Sequence, residues 1–133
     1  MAQKVRYMSQ EWRDEVEKRL LIELTPEKMK NLTSSMSNIY LKCPDGMDRY
    51  LFFGFENGRL KELALGEGDP PQAEFRITGE YETFARISRA ELGSQRALMS
   101  GKLKLRGNMV KALKLASIAD RVNKIISTID AEY

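Results

Sequence analysis

Histidine is absent from the 133 residues, so no step that needs an imidazole as base, acid or metal ligand is open to this chain. Cysteine occurs once, at Cys43, which rules out an internal disulfide and a thiolate cluster and suits a reducing, cytoplasmic compartment. No window approaches the roughly 18 consecutive apolar residues of a membrane span. The opening MAQKVRYMSQEWRDEVEKRL has no apolar run of the signal-peptide kind. The closing Ala131-Glu132-Tyr133 matches neither a peroxisomal nor a reticulum-retention signal. We therefore expect a soluble protein. Charge of one sign is not concentrated either: 22 basic and 19 acidic residues are interleaved for a net +3, so no nucleic-acid partner is expected. Carboxylates and lysines show no catalytic spacing, so no catalytic residue, metal or cofactor is expected, and Cys43 ends an apolar strand face where a thiol is ordinarily inert.

What is present is 42% hydrophobic residues in a length that fits one domain, residues 1–133, with residues 1–8 as a loose extension. Ser9 is a suitable N-cap for a helix to about Leu24, with Trp12, Val16 and Leu20 on one stripe. Thr25-Pro26 reads as a second helix start, with Met29, Leu32 and Met36 on its buried side and an end near Ser35. Period two from Asn38 puts Ile39, Leu41 and Cys43 on one face and Tyr40 and Lys42 on the other, up to Pro44-Asp45-Gly46. Arg49 to Glu56 places Leu51, Phe53 and Phe55 on one face and Tyr50 and Phe52 on the other. Asn57-Gly58 then predicts a tight hairpin into Leu60 to Leu65. Gly66 to Gln72 carries two prolines and two glycines and must be a loop. A strand with Ala73, Phe75 and Ile77 inward, a helix carrying Tyr81, Phe84, Ala85 and Ile87, and a short helix from Ser94 to Ser100 follow.

The stretch Met99 to Asp130 closes the domain. Leu103 and Leu105 share one face of a short strand, and Lys102, Lys104 and Arg106 share the other. Gly107 and Asn108 turn the chain, Asn108 caps, and a helix starts at about Met109. Its apolar face runs through Leu115, Ile118, Ala119, Val122, Ile125, Ile126 and Ile129. Its first turns are apolar nearly all round, which asks for neighbours on more than one side or for a ligand. The order of elements predicts an α+β domain: a five-stranded mixed or antiparallel sheet with helices on one face.

Ser100 to Met109, SGKLKLRGNM, followed by Val110-Lys111-Ala112-Leu113-Lys114-Leu115, resembles the signature near the end of the sterol carrier protein type 2 domain family. The Phe75-Arg76-Ile77-Thr78 strand leading to Tyr81 and Phe84, and the strand end Phe55-Glu56-Asn57-Gly58, are similar as well, and order and spacing agree from about Ser9 to Ile129. The resemblance implies helices over the sheet with a hydrophobic tunnel between them that takes up a fatty acid, acyl-CoA, phospholipid or sterol, for carriage without catalysis. It assigns the tunnel wall to Leu51, Phe53, Phe55, Phe75, Ile77, Phe84, Leu103 and Leu105, under a roof of Met109, Leu113 and Ala116. On the residues alone, the same side chains simply fill a core.

Two further contacts stay open. Lys111, Lys114, Arg121 and Lys124 lie along one side of the last helix and suit an anionic headgroup or a transient membrane surface. The alternative function is an interaction module that forms a homodimer or docks on an enzyme through Tyr50 and Phe52 and presents a hydrophobic groove.

Overall fold

A computed structural model describes residues 4–133. Its elements in chain order are β1 (Val5–Arg6), α1 (Gln10–Glu23), β2 (Ser34–Leu41), β3 (Arg49–Glu56), β4 (Arg59–Glu67), β5 (Phe75–Glu80), α2 (Tyr81–Ser88), α3 (Ser94–Met99), β6 (Leu103–Arg106), α4 (Met109–Ile126) and β7 (Ala131–Glu132). Five strands form one sheet in the order β4-β3-β2-β5-β6, in which β2 and β5 are parallel and all other neighbours antiparallel. The mixed sheet is therefore the expected one.

Local signals set most of these boundaries. Ser9 caps α1 by accepting from the Trp12 amide, and Asn108 caps α4 by accepting from the Lys111 amide. Asn57 and Gly58 both have positive φ, at 51° and 79°, as a two-residue hairpin turn requires.

The second helix expected from Thr25 to Ser35 does not form. Thr25 Oγ1 accepts from the Lys28 amide and starts a single turn, which Lys30 and Asn31 end with positive φ. The chain then enters β2 at Ser34, because Ser34–Ser37 pair with Phe55–Phe52, whose backbone groups would otherwise lack a partner on that side. Pairing outweighs a weak helix signal. Gly58 tucks against this turn, its amide donating to Leu32 O at 2.8 Å, and a Cβ there would come within 2.7 Å of Pro26 Cα.

Pairing on both sides fixes which way the side chains of β2 face. Asn38 stands between Leu51 and Ile77 across the two ladders and is buried with Tyr40, while Ile39 and Leu41 are only half-buried. Tyr40 thus points into the core, opposite to expectation, and its ring stacks on Phe84 at 4.2 Å between centroids. On the outer face, the loop after β4 crosses β2, where Ser37 Oγ donates to Pro71 O at 2.7 Å. Phe52, the ladder partner of Ser37, is buried rather than offered as a docking footprint.

The helices cover the inner face. α1 lies on β4, with Trp12, Val16 and Leu20 buried, whereas α4 packs chiefly on α1, α2 and α3. Residues 1–3 of the expected loose extension lie outside the described residues. From Val5 onward the extension is not loose: Val5 and Arg6 pair in parallel with Ala131 and Glu132, and the Tyr7 amide donates to Glu132 O at 2.9 Å. The Tyr7 ring is buried edge-on against Trp12 at 4.8 Å and lies 4.4 Å from the Tyr133 ring, so aromatic contacts tie both terminal segments to the core.

Tyr7→Ala should therefore cost about 3 kcal/mol, as truncating a buried aromatic does. That corresponds to a fall of roughly 10 °C in the midpoint of thermal unfolding for a domain of this size. A change of under about 2 °C would return the segment to the status of a loose extension.

Candidate functional site

An apolar cavity of about 100 Å³ lies between the sheet and the helices. Strands β2, β3, β5 and β6 supply Met36, Leu51, Phe53, Phe55, Phe75, Ile77 and Leu103 to its lower wall, and α2 adds Phe84 and Ile87. Above it, α4 contributes Ala112, Leu115, Ala116, Ile118, Ala119, Val122 and Ile126. Leu98 of α3 and Met29 and Leu32 of the turn after α1 complete the lining.

Eight residues read from the sequence as tunnel wall line this cavity: Leu51, Phe53, Phe55, Phe75, Ile77, Phe84, Leu103 and Ala116. Three do not. Leu105 faces the same way as its ladder partner Ile77 but sits on the edge strand, half-buried. Met109 is 44% exposed, and Leu113 packs half-buried beside the core instead of over the cavity. The roof is thus set by positions 112, 115, 116 and 119, about one residue row round the helix from the one expected. The expected helix after Thr25 hides the contribution of Met29 and Leu32, and the expected facing of β2 hides that of Tyr40 and Asn38. In the sequence, only the apolar or aromatic character of Met29, Leu32 and Tyr40 marks them, and nothing marks Asn38.

No lysine, arginine, aspartate or glutamate lines the cavity among the described residues. Its few polar groups are neutral, and one of them is unsatisfied: Asn38 Oδ1 is buried without a hydrogen-bond partner among the described residues. Such an atom ordinarily costs about 1–3 kcal/mol. Tyr40 and Ser88 belong to a buried network in which the Tyr7 hydroxyl lies 2.7 Å from Ser88 Oγ and 3.5 Å from the Tyr40 hydroxyl. The half-buried lining residues Leu32, Ser34, Ser35 and Met36 on one side, and Leu115, Ala119 and Asn123 on the other, mark where the cavity comes closest to solvent. Away from these residues, Arg121 ties α4 to the turn after α1, donating from Nη1 to Lys28 O at 2.7 Å.

The four cations read as a headgroup surface are not equivalent. Lys111 is paired with Glu74, whose carboxyl that lysine, with help from Ser34, holds below its usual range. Arg121 donates to the Lys28 carbonyl, while the side chains of Lys114 and Lys124 have no polar partner among the described residues. Cys43 is buried outside the cavity, and burial, reinforced by Asp45, pushes its thiol up, away from the reactive thiolate. Among the described residues no helix is long and apolar enough to cross a membrane.

Residues 14–120 match the family model described as the SCP-2 sterol transfer family. A crystal structure of sterol carrier protein 2 superposes with a TM-score of 0.80 at 18% identity, over 93% of this chain and 99% of that one. A conserved hypothetical protein from Thermus thermophilus superposes with a TM-score of 0.81 at 16% identity, over 98% and 94%. Among curated proteins, hydroxysteroid dehydrogenase-like protein 2 from Bos taurus is 27% identical over 104 residues, 73% of this chain and 25% of that protein. The chain therefore spans about a quarter of the length of the curated relatives it matches.

The buried phenols give the cavity wall a defined alkaline limit. Burial raises the Tyr7 hydroxyl well above its ordinary value, aided by the neighbouring Tyr40 phenol, and burial raises Tyr40 likewise. Both are held protonated in the fold, whereas the unfolded chain releases these protons near about pH 10. Their contribution is complete below about pH 10 and is lost as pH rises from there toward the native values. Absorbance titration of phenolate should show these two protons leaving only together with the collapse of Trp12 fluorescence, and Tyr7→Phe should remove one of them. Free ionisation of all tyrosines around about pH 10 with intact fluorescence would contradict this burial.

Proposed function

Because the chain belongs to the SCP-2 sterol transfer family, we propose that it binds a hydrophobic molecule in the cavity between the sheet and α4 and carries it without changing it chemically. The observation that carries this reading is the lining: apolar, aromatic and neutral, with no carboxylate, amine or thiol among the described residues that form it. Fatty acids, acyl-CoA, phospholipids and sterol-like molecules all offer an apolar body of the kind such a lining accepts, and any charged group they carry would sit at the rim.

The resting cavity is smaller than the ~300–1,000 Å³ usual for ligand sites. Uptake therefore needs displacement of side chains at the rim. Met29, Met36, Leu32 and Leu115 are suited to it, because methionine in particular repacks at small cost. Arg121 fastens α4 to the Pro26–Leu32 turn, and release of that one hydrogen bond would let the rim widen. Delivery to a membrane would use Lys114 and Lys124, the two of the four exposed cations of α4 whose side chains have no polar partner among the described residues.

An empty volume of about 100 Å³ is itself destabilising, by about 2 kcal/mol at the usual cost per unit of cavity. Filling it should therefore trade binding for stability. Ala116→Leu is expected to raise thermal stability while weakening a fluorescent long-chain fatty acid probe at least tenfold. Arg121→Ala should leave equilibrium binding nearly unchanged and speed probe release several-fold in stopped flow. Native mass spectrometry of the protein purified without detergent provides the direct test, with co-purified lipid expected. A persistently empty protein that rejects acyl, phospholipid and sterol probes would end the carriage reading.

A further inference from the structure

The two edges of the sheet are finished differently. On one side α1 lies on β4, and Arg13 donates from Nε and Nη2 to Leu63 O at 3.1 and 2.6 Å. On the other side β6 pairs with β5 alone, and among the described residues the backbone groups of 103–106 make no hydrogen bond outside that ladder. Its outward N–H and C=O groups are thus open to another strand. The same edge carries an unbalanced charge. Lys104 and Arg106 are exposed on the sheet face away from the cavity, and the ladder sets Arg106 directly opposite Arg76, which is also exposed. Like charges so placed are destabilising. Neither arginine nor Lys104 has an ion-pair partner among the described residues, and the two acids that flank Arg76 along its own segment are engaged elsewhere: Glu74 by Lys111 and Ser34, Glu80 by Lys42.

We propose that the β6 edge and these cations form a docking site for an extended acidic segment of a partner protein, which adds to the sheet as a further strand beside β6. The proposal is independent of what fills the cavity, since the cations lie on the opposite face of the sheet. Lysine on an edge strand ordinarily guards against unwanted pairing, and that accounts for Lys104 taken alone. It does not account for Arg76, which stands on an interior strand. A carboxylate set beside Arg106 by an added strand would offset the charge that Arg76 and Arg106 now present to each other, through charge-assisted hydrogen bonds. Alternate residues of a strand share a face, so acids at every second position would meet the cations, and the residues between them would fall beside the half-buried Leu105. A bilayer or a coiled polyanion offers negative charge without backbone partners, so the open ladder favours a strand.

The test titrates an alternating glutamate–valine octapeptide into the isotope-labelled protein at low ionic strength, with a lysine–valine octapeptide and poly-glutamate as controls for charge and for strand form. Backbone amides of Leu103–Arg106 should shift on binding the acidic peptide, and hydrogen exchange there should slow. The lysine peptide should not bind, and poly-glutamate should bind more weakly without slowing exchange. Arg106→Glu should weaken the acidic peptide about tenfold and raise the midpoint of thermal unfolding by about 2 °C, because it places a carboxylate opposite Arg76. Arg76→Gln should weaken the peptide several-fold as well. Absence of peptide binding, binding that leaves the amides of β6 unchanged, binding that survives Arg106→Glu, or equal binding of poly-glutamate would overturn the proposal. Attachment to phosphatidylglycerol vesicles through these cations without peptide binding would overturn it in favour of a membrane surface. Each of these results leaves carriage standing. The exchange measurement on wild type decides the matter even if a variant does not fold.

Discussion

The site exists because α4 turns small residues toward the sheet. Ala112, Ala116 and Ala119 recur at steps of four and three, which places them on one stripe, and all three line the cavity opposite Phe53, Phe55, Phe75 and Phe84. Leucines in that row would reach the aromatic floor and leave no space. Alanines stop short, while Ile118, Val122 and Ile126 on the same helix keep it packed. The helix therefore rests on its neighbours more than on the sheet, and the difference in side-chain length remains as volume.

That arrangement requires ties to elements other than the sheet's centre. Near its start α4 is linked to the strand side by the Lys111–Glu74 pair, and midway the Ser94 amide donates to Asp120 Oδ1 at 2.9 Å, which attaches α3. Farther along, Arg121 reaches the turn after α1. An exposed ion pair such as Lys111–Glu74 contributes about 0–1 kcal/mol, so ties of this kind position the helix more than they stabilise it. The apolar contacts of Val122 and Ile126 supply most of the holding energy, and the polar ties decide where the helix lies and where it can give way.

Much of this was legible in the sequence because it depends on short-range chemistry. Ser9 and Asn108 cap helices, Asn57-Gly58 makes a hairpin, and β3 alternates, all as nearest-neighbour rules require. The errors arise where a distant partner decides. Thr25-Pro26 carries a local helix start, but β3 needs Ser34–Ser37 as its partner, and the helix gives way to a turn and a strand. The facing of β2 is likewise set by its place between β3 and β5, which turns Tyr40 and Asn38 inward. On α4 the large apolar residues Met109 and Leu113 draw attention, whereas the functional stripe consists of alanines, whose signal is smallness opposite aromatics, invisible until strand and helix are set face to face. Of the roof positions only Ala116 was identified from the sequence.

An apolar cavity and the few neutral polar groups that line it bear on each other. A void lined only by hydrocarbon stays dry and accepts any apolar body of suitable bulk, so it discriminates weakly. Every ionised group, however, meets an enclosure with no countercharge among its described lining residues. β2 is hydrogen-bonded on both sides and cannot shift to bring Asn38 to solvent without breaking both ladders. At the rim, by contrast, the side chains of Met36 and Leu115 can move individually. The floor thus belongs to the rigid part of the molecule and the rim to the movable part, and a substitution can alter one without the other.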